Sequence, residues 1–385
     1  MLQRNQFNLV APRDSRGCQP ARSGPVKRRG RAIIRIATLL APCATAIFSQ
    51  PGLSCSGARS KHHGGLGGAT GTTFFEGEGI ATMTSAGYWK SHYVLETDAD
   101  EIERNLGSSI FVSGATRFEL LTVERGKDAP NILISPGSAG HSYVFAELGY
   151  QMHLRGYNVF IMPKHGGATV GELVRRHGDA LEHISGVFSD RIGVFGEGLG
   201  GFAVFYLALS HGPIRSAVYQ NAPGVLTERQ FLESVVKSRG AGQRRRLILP
   251  AARLLSRIVP WVRVPVSLYL DFEELIDKEE NREVETRLVK EGYLRDSGFD
   301  RWYPLSAVMS LVSTPPPNPI SELKVPTMFL VPLRGWTDPS YLSDLYRRLP
   351  PITKRLVEVN GGVFWMCSHP KEAAKIICEW FDETV

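Results

Sequence analysis

The sequence has 385 residues, of which 43% are hydrophobic and 22% charged, and its formal net charge is +7. This composition is typical of a globular protein with enough chain to bury a core, and no apolar run is long enough to span a bilayer. Residues 1–82 hold 11 Lys and Arg and 3 Asp and Glu, which leaves 34 of the 45 basic and 35 of the 38 acidic residues for the rest of the chain. Because the larger part of the chain is close to neutral, we expect no nucleic-acid binding.

The first 82 residues differ in composition from the remainder. They are rich in Arg, Gly, Ser and Pro and show no sustained hydrophobic period, which predicts a non-globular segment. Residues 27–49 combine a basic stretch, an apolar stretch and Ala44-Thr45-Ala46, a pattern typical of a secretory signal, although Arg35 and Pro42 interrupt it. We expect a cytoplasmic protein, with export as the alternative if residues 27–49 act as a signal.

Globular composition begins near Met83. In a bacterial gene, the codons of Glu78-Gly79 can form a ribosome-binding sequence ahead of a start at Met83, and the preceding segment would then not be made. Under each of these interpretations we predict one domain over residues 83–385.

The five cysteines are few, odd in number and without the paired spacing of a metal site. They are Cys18, Cys43, Cys55, Cys367 and Cys378. We expect no metal and no cofactor.

From residue 88 onward, short apolar runs alternate with helical patterns. The predicted strands are 117–124 (antiparallel), 131–135, 157–162, 192–195, 216–220, 325–332 and 354–359, and the predicted helices are 143–155, 170–187, 199–209, 341–349 and 372–381. This regular alternation predicts an α/β fold with a doubly wound, mostly parallel sheet.

The strand at 192–195 and the helix at 199–209 are joined by a glycine-rich turn, Gly196-Glu197-Gly198-Leu199-Gly200-Gly201. The spacing matches the nucleophile elbow G-x-S-x-G, in which a strained turn presents a serine to the substrate. Gly198 stands where the serine belongs. A glycine has no side-chain atom that can attack a carbonyl, and we expect the side chain of Glu197 to point away from the site.

The elbow frame and the strand–helix order over residues 90–385 resemble the α/β-hydrolase superfamily, especially capped serine hydrolases of the lipase and esterase type. The resemblance implies a helical cap inserted between the sixth and seventh strands, which we place at residues 225–322. It also implies the chain order nucleophile, acid, histidine for the catalytic residues.

The resemblance assigns the two other catalytic positions. Asp338 matches the acid, although an Asp before Pro also caps helices well. Val363 occupies the place of the catalytic histidine, and His369 lies six residues further on, directly before the last helix. Gly198 and Val363 together indicate decay of the catalytic triad.

The predicted oxyanion donors remain in the sequence. Gly137 and Ser138 lie where the family carries its oxyanion loop, and the backbone N–H of Leu199 would supply the second donor. Two alternatives stay open: the loop is only a tight turn, or Ser138 and His141 form a relocated pair. We expect His165, His177 and His183 to be helix-surface or loop residues.

Residues 247–270 are apolar with arginines at 253, 257 and 263. We favour helices that pack on the core with arginines at the rim over an acyl pocket or a membrane-facing surface.

Two main functional hypotheses follow. The first is a hydrolase-fold protein without catalysis that binds a small apolar or carbonyl- or carboxylate-bearing ligand, a protein partner or a second copy of itself. The alternative is an active carboxylic-ester or lipid hydrolase with a relocated constellation. A third hypothesis, an enzyme that uses only a base, is weakened by the absent histidine.

Overall fold

The computed structural model describes residues 95–234, 254–268, 270–280, 282–295 and 298–385. The predictions for residues 1–82 and the part of the apolar segment at 247–253 lie outside these ranges.

Seven of the eight strands of the main sheet lie close to their predicted positions, and the first strand was not predicted. The eight strands are β1 (Gly107–Ser113), β2 (Thr116–Val123), β3 (Asn131–Ser135), β4 (Asn158–Ile161), β5 (Ile192–Glu197), β6 (Ser216–Gln220), β9 (Thr327–Arg334) and β10 (Lys354–Gly362). Their order across the sheet is β1-β2-β4-β3-β5-β6-β9-β10. β2 runs antiparallel to both of its neighbours, and every other pair is parallel, which confirms the predicted sheet.

Helices follow the strands on both faces of the sheet. They include α1 (Ala99–Asn105), α2 (Ala146–Leu154), α3 (Val170–Val187), α4 (Gly198–Leu209), α5 (Arg229–Ser234), α6 (Glu283–Arg287), α7 (Leu305–Ser310), α8 (Pro339–Arg348), α9 (Trp365–Ser368) and α10 (Pro370–Thr384). Two buried apolar clusters, one on each face, form the core. α2 and α10 contribute to the first cluster, and α8 and most of α4 to the second.

α4 shows why the sequence folds as it does around the elbow. Every residue from Gly198 to Leu209 is buried, so this helix has no polar face and lies inside the molecule. β5 is likewise buried along its whole length, between β3 and β6. The elbow therefore lies at the centre of the sheet, where the carboxyl ends of β3, β6, β9 and β10 converge.

β1 is a strand that the sequence pattern missed. Its burial alternates, since Ile110 and Val112 are exposed while Phe111 between them is buried, but the three residues are all apolar and the sequence therefore shows no alternation. β1 pairs only with β2 and forms one edge of the sheet.

Residues 221–326 separate β6 from β9 in the chain, which is the insertion point predicted for a cap. Within this inserted segment, β7 (Arg263–Pro265) and β8 (Trp302–Pro304) pair antiparallel as a short ribbon. A π-helix (Leu288–Tyr293) follows α6. The role of this segment as a cap stays a prediction.

The expectation that residues 247–270 pack on the core is only partly correct. Val266 and Leu270 are buried, but Leu254, Ile258 and Trp261 are 62, 62 and 69% exposed. Among the described residues, no helix is both long and apolar enough to cross a membrane.

Candidate functional site

The turn between β5 and α4 has the geometry of the predicted elbow. Gly198 has a φ of +48°, in the left-handed region that favours glycine. A Cβ on Gly196 would lie 2.6 Å from the Cα of Gly201, so the strand and the helix approach too closely for a side chain there. These contacts explain why the glycines of the frame are retained.

Gly198 itself has room for a side chain. A Cβ built on it would meet its nearest neighbour, the Cα of Gly137, at 3.5 Å, which is ordinary van der Waals contact. The elbow and the predicted oxyanion loop are therefore adjacent. Serine is absent from this position although the space for it remains.

Glu197 corrects one expectation, because its side chain points into the site. The carboxylate lies against Gly137 and accepts a hydrogen bond from the Gly137 backbone N–H. The Nδ2 of Asn221 donates a second hydrogen bond to it, over 3.2 Å. The side chain of Glu197 thus binds one of the two predicted oxyanion donors.

The environment of Glu197 changes its acidity. Burial raises the pKa of this carboxyl to about 7, against the opposing effect of the hydrogen bonds from Asn221 and Gly137. At neutral pH the group is thus about half ionised. A buried carboxyl with such a pKa beside an elbow is unusual and marks the site as electrostatically distinct.

The loop that starts at Gly137 is held by the inserted segment. The backbone N–H of Ala139 donates to the hydroxyl of Tyr303 over 2.8 Å, and Ser138 hydrogen-bonds to the same hydroxyl. The N–H of Asp300 donates to the carbonyl of Ala139. The loop also makes a tight turn, in which the N–H of Gly140 donates to the carbonyl of Gly137. The donor role of Gly137, Ser138 and Leu199 stays a prediction.

Val363 follows β10 directly and is buried. Its carbonyl accepts hydrogen bonds from Gln220 Nε2 at 3.1 Å and from Asn221 Nδ2 at 2.9 Å. The backbone at Val363 is therefore anchored to the end of β6. Its assignment as the former histidine position stays a prediction.

Asp338 is the N-cap of α8. Its Oδ1 accepts hydrogen bonds from the backbone N–H and the hydroxyl of Ser340, at 2.9 and 2.8 Å. These are the contacts of a helix cap, which the sequence analysis gave as the other interpretation of this residue. Its role as a remnant acid stays a prediction.

Asn221, which the sequence did not single out, joins the segments that contain Glu197, Val363 and Trp336. Its side chain donates to Glu197 and to the Val363 carbonyl, and its Oδ1 accepts from the N–H of Trp336, two residues before Asp338. Thr337 donates to the Asn221 carbonyl over 2.8 Å. A φ of +52° aims the Asn221 side chain inward, and asparagine tolerates this conformation well. The position directly after a buried strand was the available signal.

The contacts of His369 are with residues outside the elbow. Its ring stacks on Trp365 at 5.6 Å between centroids, and its Nε2 lies 3.7 Å from a Glu280 oxygen. Its Nδ1 donates to the Trp365 carbonyl at 3.3 Å.

His177 is fully buried, so the expectation of a surface position is wrong for it. Its Nδ1 lies 2.7 Å from the Leu173 carbonyl and therefore carries the proton, which leaves Nε2 to accept from the Ser135 hydroxyl at 2.6 Å. His165 is buried in its loop and donates from Nε2 to the Pro136 carbonyl at 2.6 Å. Burial lowers the pKa of His165 to about 4 and that of His177 to about 3, so both are neutral.

Aromatic side chains surround the loop on the side of the inserted segment. Tyr293 packs against Phe299 at 4.4 Å and Phe364 at 5.5 Å between ring centroids, and Phe299 packs against His141 at 4.5 Å. A Cβ on Gly140 would lie 3.3 Å from the Tyr293 hydroxyl. The loop beside the elbow is therefore flanked by aromatic rings. Separately, no group of three His, Cys, Asp or Glu among the described residues is arranged to hold a metal ion.

No family model matches this sequence, and no curated protein matches it. Solved structures do resemble its fold. A monoacylglycerol lipase from Paleococcus ferrophilus has a TM-score of 0.51 and 18% identity, covering 72% of this chain and 98% of the lipase. A soluble variant of the monoglyceride lipase from Saccharomyces cerevisiae has a TM-score of 0.54 and 13% identity, covering 77% and 98%.

A third similar structure is the alpha/beta hydrolase GrgF from a Penicillium species. It has a TM-score of 0.53 and 13% identity, and the match covers 72% of this chain and 98% of that one. At such low identity the likeness concerns the fold. The sheet order, the elbow and these three structures lead to one conclusion: this chain has the α/β-hydrolase fold.

Proposed function

We propose that this protein uses the α/β-hydrolase fold for binding and has lost serine-hydrolase catalysis. The observation that carries the proposal is the combination of Gly198 and Glu197 at the elbow. Gly198 supplies no nucleophile, and the carboxylate of the adjacent Glu197 binds the Gly137 N–H, which is the donor that an oxyanion would need.

Each step of acyl transfer lacks a group at this site. The attack needs a nucleophilic oxygen or sulfur at the elbow, and Gly198 has none. Deprotonation of the nucleophile needs a base, and the side chain of Val363 cannot accept a proton. Stabilisation of the tetrahedral intermediate needs free donors, whereas a Glu197 carboxylate on Gly137 repels a second negative charge.

The same carboxyl restricts what the site can bind. Above pH 7 it is mostly ionised, which disfavours a carboxylate ligand close to Gly137. Tyr293, Phe299 and Phe364, which pack on one another and are buried, make the surroundings of the loop apolar. A neutral, largely apolar ligand or an apolar group of a protein partner fits this chemistry better than an anion.

One observation favours the alternative of a relocated hydrolase. Ser135 and His177 form a hydrogen-bonded pair with the proton arrangement of a serine–histidine dyad. However, neither side chain has any exposed surface, and a backbone carbonyl takes the place of the orienting carboxylate. We assign this pair a structural role beneath the elbow.

The test is hydrolysis of p-nitrophenyl butyrate by the full chain and by variants. We expect the natural protein to release no nitrophenol above the buffer rate. We expect Gly198→Ser/Val363→His to release no nitrophenol either, because the Glu197 carboxylate still accepts the hydrogen bond of the Gly137 N–H. Adding Glu197→Ala to that double variant should give measurable turnover.

Three outcomes of these assays would each contradict a different part of the proposal. Turnover by the natural protein that Ser135→Ala or Ser138→Ala abolishes would establish a relocated nucleophile. Activity in the double variant would show that Glu197 is no obstacle. A folded triple variant without activity would contradict the claim that these three positions are the ones that were lost.

A further inference from the structure

Large apolar side chains are exposed on one part of the inserted segment. We call this the outer patch, and its residues come from the short helix at 254–258 and from the ribbon of β7 and β8. Leu254, Leu255, Ile258, Trp261 and Trp302 are 62, 43, 62, 69 and 52% exposed. A contiguous sequence stretch that exposes this much apolar surface is typical of a docking surface.

The ribbon explains why these side chains face outward. Val264 pairs with Tyr303, and Pro265 pairs with Trp302. Because successive side chains of a strand alternate between faces, the buried Tyr303 contacts the loop at Ala139 while Trp302 points to the opposite face. The chain before β7 is tied to α7 by a hydrogen bond from the Leu305 N–H to the Val262 carbonyl, at 2.7 Å, so Trp261 stands beside the ribbon.

The stretch of the outer patch that precedes and forms β7 carries only basic charges. Arg257 and Arg263 are both exposed, and residues 254–268 contain no Asp or Glu. The sequence from 234 to 270 contains eight Lys and Arg and no acidic residue, within a region 83–385 whose other residues are 26 basic and 35 acidic. Within residues 83–385 the positive charge is thus concentrated in the sequence from 234 to 270, which includes Arg257 and Arg263 of the outer patch.

We propose that the outer patch docks on the surface of an anionic lipid bilayer. Tryptophan and aliphatic side chains enter the boundary between headgroups and acyl chains, and arginines beside them bind lipid phosphates and carboxylates. A nucleic acid would use the arginines but leave the leucines and isoleucine exposed. A second copy of the chain would bring arginine against arginine, which is unfavourable.

Docking would also orient the elbow. Tyr303 and Trp302 are adjacent residues of β8, and the first holds the loop at Ala139 while the second would contact lipid. The Gly137 loop therefore lies directly behind the docking surface. This proposal does not depend on the loss of catalysis.

Sedimentation with vesicles tests the proposal on the full chain. We expect binding to vesicles of phosphatidylcholine with phosphatidylserine, and weak binding to phosphatidylcholine alone. Arg257→Glu/Arg263→Glu should weaken partitioning by roughly tenfold or more, since each basic residue near an anionic surface contributes about 1 kcal/mol. Trp261→Ser/Trp302→Ser should weaken it to a similar extent. The matched control is Ile110→Ser/Val112→Ser, which removes equally exposed apolar groups from β1 and should bind like the natural chain.

A second readout excludes the basic N-terminal segment as the source of binding. Residues 1–82 contain no tryptophan, so quenching of tryptophan fluorescence by phosphatidylcholine with brominated acyl chains reports only on the remainder of the chain. We expect quenching in the natural protein. Absence of binding, binding without quenching, equal binding by both outer-patch variants, or tighter binding to duplex DNA than to vesicles would each overturn the proposal.

Discussion

Glu197 is the residue on which the proposed loss of catalysis depends most. The strand–turn–helix geometry, the left-handed Gly198 and the neighbouring loop are all present. The carboxylate accepts a hydrogen bond from the Gly137 N–H, and Glu197 directly precedes Gly198. The proposal that catalysis is lost therefore depends on the chemistry of single residues within a shared fold.

The acidity of Glu197 makes stability depend on pH. The native carboxyl keeps its proton up to about pH 7, whereas the unfolded chain releases it near 4.5. Between these values the native state binds more protons, so this group makes the free energy of unfolding fall as pH rises. The difference corresponds to about 3 kcal/mol.

We expect Glu197→Gln to abolish this fall in the free energy of unfolding. The amide oxygen of the glutamine can still accept a hydrogen bond from the Gly137 N–H. Urea unfolding at pH 5, 6, 7 and 8 should show the variant gaining stability over the natural protein as pH rises. Glu379→Gln, an exposed carboxyl on α10, serves as the control and should follow the natural protein. Parallel curves for Glu197→Gln and the natural protein would contradict the assignment.

At the scale of elements, one buried ion pair fastens the inserted segment to the sheet. Arg334 at the end of β9 donates from Nη2 and Nε to the Asp277 carboxylate, at 2.7 and 2.9 Å. The Asp277 side chain is only 1% exposed and packs against Gly362 at the end of β10. Glu285, also buried, accepts from the Asp277 N–H at 2.8 Å and from Ser368 at 3.1 Å.

Removing the arginine should loosen this attachment. We expect Arg334→Ala to cost about 3 kcal/mol, because it leaves a buried carboxylate without its cation. Limited proteolysis should then cut the chain within residues 271–300 sooner than in the natural protein. Arg215→Ala breaks the exposed pair with Asp190 and should cost less than about 1 kcal/mol. Equal effects of the two substitutions would refute a structural role for Asp277.

At the scale of the whole molecule, the two buried histidines govern stability in acid. His165 and His177 stay neutral in the native protein, with pKa values of about 4 and 3, while in the unfolded chain they bind protons near pH 6.5. Between pH 4 and 6.5 the unfolded state therefore binds more protons at these sites, and they make the free energy of unfolding rise with pH. The combined contribution of the two histidines to the pH dependence of the unfolding free energy is larger than the opposite contribution of Glu197.

We expect the unfolding free energy to increase by several kcal/mol from pH 4.5 to 6.5, as measured by urea titration. His177→Gln can keep the bonds to Leu173 and Ser135 and should flatten this rise. His183→Gln on the same helix α3, where the imidazole is half-buried and bonded to Ser109, controls for the general effect of replacing a histidine of this helix. A slope equal to that of the natural protein in His177→Gln would show that His177 does not titrate as proposed.

Much of the fold followed from local sequence patterns. The bounds of α3 and β6, the elbow and the absence of a nucleophile at Gly198 depend on residues close together in the chain, where period and glycine spacing are informative. β1 escaped prediction because its exposed residues Ile110 and Val112 are apolar like the buried Phe111, so the sequence shows no polar–apolar alternation.

By itself, the sequence determined most of the sheet and the elbow frame, and it placed Gly198 and Val363 at the positions where the proposal sets the lost nucleophile and histidine, because each is a property of a short stretch. Only the tertiary structure decided where Glu197 points, that Asn221 joins three loops, that His177 is buried, and that Trp261 and Trp302 are exposed. Those properties arise from contacts between residues far apart in the chain, and local periodicity does not encode which surfaces will meet.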